Sequence, residues 1–114
     1  MRIRKTYKNL QPELLYYQMR NLFSHHGLVK GTDKLETFSN PANSTSTIYQ
    51  GTLTFKNASD KECIKAIMQG TMTGETKLAL DIDEEAMDKN QVSVIQEDLD
   101  FFMSGFEENT DEDQ

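Results

Sequence analysis

Thr45-Ser46-Thr47-Ile48-Tyr49-Gln50-Gly51-Thr52-Leu53-Thr54-Phe55 alternates in a way that only an extended backbone puts to use. Tyr49, Gly51, Leu53 and Phe55 fall on one side of such a chain, and Gln50, Thr52, Thr54 and Lys56 on the other. That period of two is the pattern of a half-buried strand, with one face meant for a core. Two further extended stretches follow, at residues 63–72 and 76–82, joined through N-A-S-D-K and T-G-E. A three-strand antiparallel meander is the economical reading, with the rest of the chain there to cover it.

The middle stretch admits a competing reading. Ser59-Asp60-Lys61-Glu62 has the spacing of a capping box, and Ile64, Ile67 and Met68 before Gly70 would suit a short helix. As a strand, the same residues put Ile64, Ala66, Met68 and Met72 on one face. The matched stretch lengths and the extended Thr71-Met72-Thr73 that follows favour the strand.

Upstream of the meander, Ser39-Asn40-Pro41-Ala42-Asn43-Ser44 gathers turn-forming residues and predicts a loop. Residues 28–38 before it permit a strand with Leu35 and Thr37 on one face and Glu36 and Phe38 on the other. Further back, Gln11-Pro12-Glu13 opens a helix, because proline at the first helical position loses no needed hydrogen bond and an acid there suits the dipole. Leu15, Met19, Leu22 and Phe23 form its apolar stripe, widened by Leu14 and Tyr17, with Leu10 able to staple the start and Gly27 to end it. Residues 2–8 alternate as a short strand whose Arg and Lys suit a sheet edge.

Downstream, Asp88 is a good N-cap and Gln91 completes a capping-box spacing. Val92, Ile95, Leu99, Phe102, Met103 and Phe106 then recur at helical intervals, opposite Gln96, Glu97, Asp100 and Ser104. Residues 107–114, E-E-N-T-D-E-D-Q, hold five acids and no apolar side chain, which predicts a disordered acidic tail. The fold expected is therefore α+β, a single domain over residues 1–106. Strand, helix and strand precede the meander, and the antiparallel sheet is covered on one face by the N-terminal helix and a long C-terminal amphipathic helix.

In this order of elements the chain resembles the START-like, helix-grip superfamily. The resemblance rests on R-I-R-K-T-Y-K-N-L-Q-P-E-L-L-Y-Y-Q-M, a strand running into a helix opened by Pro-Glu, and on V-S-V-I-Q-E-D-L-D-F-F-M, which is similar to that family's closing helix. It covers the chain by element order only, and this chain is shorter, with one helix and up to two strands fewer than the family's usual pattern. The resemblance implies a curved sheet wrapped around the last helix and an apolar ligand between them. Leu53, Phe55, Met68, Met72, Leu99 and Met103 would be the walls of that cavity.

Composition narrows the classes of function. With 114 residues the chain suffices for one core without disulfides or metals. A net charge of −7 argues against nucleic-acid phosphates or anionic lipid as partners. No run approaches the roughly 20 apolar residues of a membrane span. The start, M-R-I-R-K-T-Y-K, has no apolar segment behind its basic residues, and the single cysteine, Cys63, suits a reducing compartment, so a cytoplasmic domain is expected. The charge is uneven. Residues 1–30 hold six basic side chains and one acidic, the remainder six basic and eighteen acidic.

Catalytic and metal motifs are not found. His25 and His26 are adjacent, about 100° apart on a helix, and cannot grip one ion as an i, i+4 pair does; they read as polar residues at a helix end. D-I-D-E-E starting at Asp81 fails as a calcium loop, with Ala86 where glycine is needed and Val92 where the bidentate Glu belongs. Cys63 has no base placed beside it and reads as a partly buried thiol. The six glycines are scattered with no phosphate cradle. No cofactor is implied. Two functions follow: a non-enzymatic adaptor or assembly protein whose acidic surface engages a protein partner or itself, and, as the alternative, a module binding a small apolar molecule.

Overall fold

The computed structural model of the protein describes residues 1–40, 43–71 and 75–104. Seven elements follow one another: β1 (Arg2–Tyr7), α1 (Pro12–His25), β2 (Val29–Asn40), β3 (Asn43–Lys56), β4 (Glu62–Thr71), β5 (Thr76–Ile82) and α2 (Lys89–Met103). The strands form one antiparallel sheet in the order β1-β5-β4-β3-β2, which makes the meander its centre and places the short basic first strand at one edge. The class is α+β, as the order of sequence patterns implies. Met72, the predicted disordered tail over 107–114, and Phe106 at the end of the helical stripe lie outside the described residues.

Residues 62–71 are a strand because the turn before them is locked against helix. Asn57 Oδ1 accepts from the backbone N–H of both Ser59 and Lys61, at 2.9 and 3.0 Å. Asp60 sits at φ 65°, a left-handed conformation that breaks a helical start. The Ser59 N–H that a capping box would offer to Glu62 is thus spent on the turn, and Asn57 Nδ2 donates to Ala86 O at 2.8 Å, tying that hairpin to the approach of α2. The predicted loop over 39–44 is shorter than read, since the β2 and β3 ladder extends to an Asn40–Asn43 pair. Backbone pairing at a long hairpin overrides the turn preference of Ser and Asn there.

Register sorts the strands' side chains into two faces. Phe55, Ile64 and Ile82 stand in one row, Leu53, Ala66 and Leu80 in the next, then Gly51, Met68 and Leu78. Every apolar member of these rows is at most 2% exposed. α1 lies on this face. A Cβ built on Gly51 would come 2.5 Å from Cδ1 of Tyr16, so the glycine is the seat for that ring. One helical turn pair further, Phe23 meets Phe55 edge-on with ring centroids 5.2 Å apart.

The helix faces correct the sequence reading in detail. In α1 the buried tyrosine is Tyr16, whereas Leu14 and Tyr17 are 44% and 40% exposed. In α2 the buried stripe is Val92, Ile95, Leu99 and Met103, and Phe102 stays 38% exposed. Asp88 caps α2 by accepting from Asn90 N–H, but Gln91 closes no capping box: its Nε2 donates to His26 O at 3.3 Å. Proline at the start of α1 and Gly27 at φ 77° after its end act as expected.

Candidate functional site

α2 packs beside α1, and its stripe joins the same core as the inner sheet face. The two helices are fastened near the end of α1. His26 Nε2 lies 2.9 Å from Asp98 Oδ2, and Gln91 Nε2 reaches the His26 carbonyl. Neither link has a local sequence signal, because the partners are distant in the chain. Between the helices runs an open groove of about 230 Å³, its floor made by Met19, Leu22, Leu99 and Met103 and its rims by Gln18, Asn21, His25, Asp98 and Phe102.

The surface of α2 beside this groove mixes acid with exposed hydrocarbon. Val94 is 44% exposed and Phe101 86%, and they stand seven residues apart on the same side of the helix. Glu97, Asp98 and Asp100 are exposed around them. Glu97 and Asp100 have no ion-pair partner among the described residues. With no basic residue in its last turn, α2 leaves that end without a cation of its own.

Of the six proposed cavity walls, the five among the described residues do not come together at one opening. Leu53, Phe55 and Met68 are 0% exposed and lie under α1, in the packed core. Leu99 and Met103 line the groove between the helices. The helix Pro12–His25 covers Gly51 with Tyr16 and Phe55 with Phe23.

Cys63, Asp81 and Asp83 each have partners within the fold. Cys63 is 2% exposed, its Sγ donates to Phe55 O at 3.5 Å, and burial, with Asp83 adding to it, pushes its thiol above the ordinary range. A thiolate nucleophile is disfavoured there. Asp81 is held by Arg2, whose Nε donates to Oδ1 at 2.6 Å, and this hydrogen bond lowers the carboxyl below its usual range. Asp83 Oδ1 accepts from Glu85 N–H, closing a turn. Among the described residues no three His, Cys, Asp or Glu side chains converge as a metal site would require, and no helix is long and apolar enough to cross a membrane. Compared with protein-family models, with curated proteins and with solved structures, the chain matches none.

Proposed function

We propose that the protein is a non-enzymatic adaptor or assembly module of the cytoplasm that holds a basic protein partner on the acidic surface of α2 and in the adjoining groove. The observation that carries this reading is Phe101, 86% exposed between Asp100 and the half-exposed Phe102. Water-exposed aromatic side chains that cluster with Val94 on one helix offer anchors for an interface, and a ring of acids around them selects the charge of what arrives. The reduced, buried state of Cys63 suits a cytoplasmic setting.

A probe makes the reading testable because the chain has no tryptophan. A synthetic amphipathic helix of Leu and Lys with one Trp should show a fluorescence change on titration with the protein. Phe101→Ser should weaken that binding about tenfold, equivalent to about 1.4 kcal/mol, and a Glu-for-Lys peptide should not bind. Equal binding by wild type and Phe101→Ser would refute the reading.

The second reading is a START-like module for a small apolar molecule. What supports it is the order of elements and the apolar floor of Met19, Leu22, Leu99 and Met103. It ranks second because the groove, at about 230 Å³, is smaller than the ~300 Å³ at which ligand pockets begin.

A further inference from the structure

The outer face of the sheet is the reverse of the inner one. Its rows run Arg4, Ala79, Ile67, Thr52, Lys34 and, beside them, Thr6, Lys77, Gln69, Gln50, Glu36. No described helix contacts this face closely, since α1 and the core lie on the other side. Arg4, Lys65 and Lys77 are exposed there with no salt-bridge partner among the described residues. Arg4 shares its row with Ala79 and Ile67, which are half-buried on an uncovered surface, while Lys77 stands opposite Gln69 and Lys65 opposite Asp81 in the rows on either side. Two adjoining hollows of about 430 and 310 Å³, which share Gln69 and Lys77, mark the same area. In a chain of net charge −7 this is a local cationic patch with an apolar centre.

We propose that this face docks the acidic α2 surface of a second copy of the chain. The inference rests on the reading of α2 as a partner-binding surface and names the partner. The two surfaces match in sign and in arrangement. One carries unpaired Glu97 and Asp100 around Val94 and Phe101, and the other carries Arg4, Lys65 and Lys77 around Ile67 and Ala79. A helix laid on an open sheet face is also the ordinary way in which such a face is covered. Because the patches lie on opposite sides of the molecule, one copy cannot satisfy both, and the contact is heterologous: copies add head to tail. A polyanionic nucleic acid fits less well, since among the described residues the face offers Phe38 as its one large exposed aromatic and the whole protein repels phosphate.

Sedimentation velocity on three proteins tests this. In about 0.1 M salt the Debye length is ~10 Å, which screens the net charges of two molecules but spares side chains in contact. Wild type should sediment faster as concentration rises, and should revert toward monomer in about 1 M salt. A sheet variant, Arg4→Gln with Lys65→Gln and Lys77→Gln, and a helix variant, Glu97→Gln with Asp100→Asn, should each stay monomeric. All five positions are exposed, so circular dichroism should show both variants folded as wild type. Mixed together, they should form a 1:1 dimer that grows no further, because one complementary pair of faces remains. A monomeric wild type at all concentrations, undiminished self-association of the sheet variant, or no dimer in the mixture would each overturn the proposal. If that happens while the Leu/Lys peptide still binds, the reading of α2 stands and only its partner is wrong.

Discussion

The inner and outer faces of the sheet are built from the same strands, one residue apart, and have opposite chemistry. On β4, Ile64, Ala66 and Met68 are at most 1% exposed, while Lys65, Ile67 and Gln69 between them face outward. The inner face is filled by hydrocarbon and sealed by Tyr16 and Phe23 of α1. The outer face keeps its cations in water and its apolar residues half-covered. Stability therefore resides on one side of the sheet and the other is free to vary, because a substitution in water costs little and one in a packed interior costs much.

The largest effect that tests this contrast is on phenylalanine. Phe55→Ala should cost about 3–5 kcal/mol, because the ring is fully buried against Phe23, whereas Phe38→Ala, on the outer face and 47% exposed, should cost about 1 kcal/mol or less. Urea unfolding of both variants gives the comparison; equal losses would mean that the outer face is packed too. Leu99→Ala should follow at about 2–5 kcal/mol, while Asp100→Ala, its exposed neighbour on α2, should change stability by less than about 0.5 kcal/mol.

Gly51→Ala should destabilise by about 1–3 kcal/mol, since the added carbon meets the Tyr16 ring. Pairing it with Tyr16→Leu should recover part of that loss in thermal melts, and no recovery would place the clash elsewhere. The smallest effect belongs to the outer face. Arg2 lowers the Asp81 carboxyl in the folded state, so the stabilisation is present above the unfolded-state pKa and fades as pH falls through the folded value. Both partners are exposed, which keeps the contribution small. Asp81→Asn should therefore lie slightly below wild type at neutral pH and coincide with it in strong acid; a gap that persists in acid would mean that the side chain acts through packing.

The strands of the meander were legible because alternation is a property of a short segment: Tyr49, Gly51, Leu53 and Phe55 announce a face without reference to any other residue. The same holds for the stripe of Leu15, Met19 and Phe23 and that of Val92, Ile95 and Leu99. Proline at the start of α1 and glycine after its end are equally local signals. The choice between helix and strand at 62–71 was narrow in the sequence because its capping-box spacing and its extended pattern overlap. Pairing with β3 and β5 on both sides decided it, with Asn57, two residues before the supposed cap, closing the turn by two hydrogen bonds.

What remained hidden depends on contacts between distant segments. Helical spacing puts Tyr16 beside Phe23 and Tyr17 on the far side of α1, but the seat that Gly51 on β3 leaves for the Tyr16 ring is set by packing between the two elements. His26 and Asp98, 72 positions apart, carry no motif, yet they fasten one helix to the other. The cationic face is scattered as Arg4, Lys65 and Lys77 along the chain and becomes one surface when β1 pairs with β5 and β5 with β4. Segment periodicity determined the elements, their order and their apolar sides. Register and helix placement, which are set by packing between elements, decided where the grooves lie and which charges share a face.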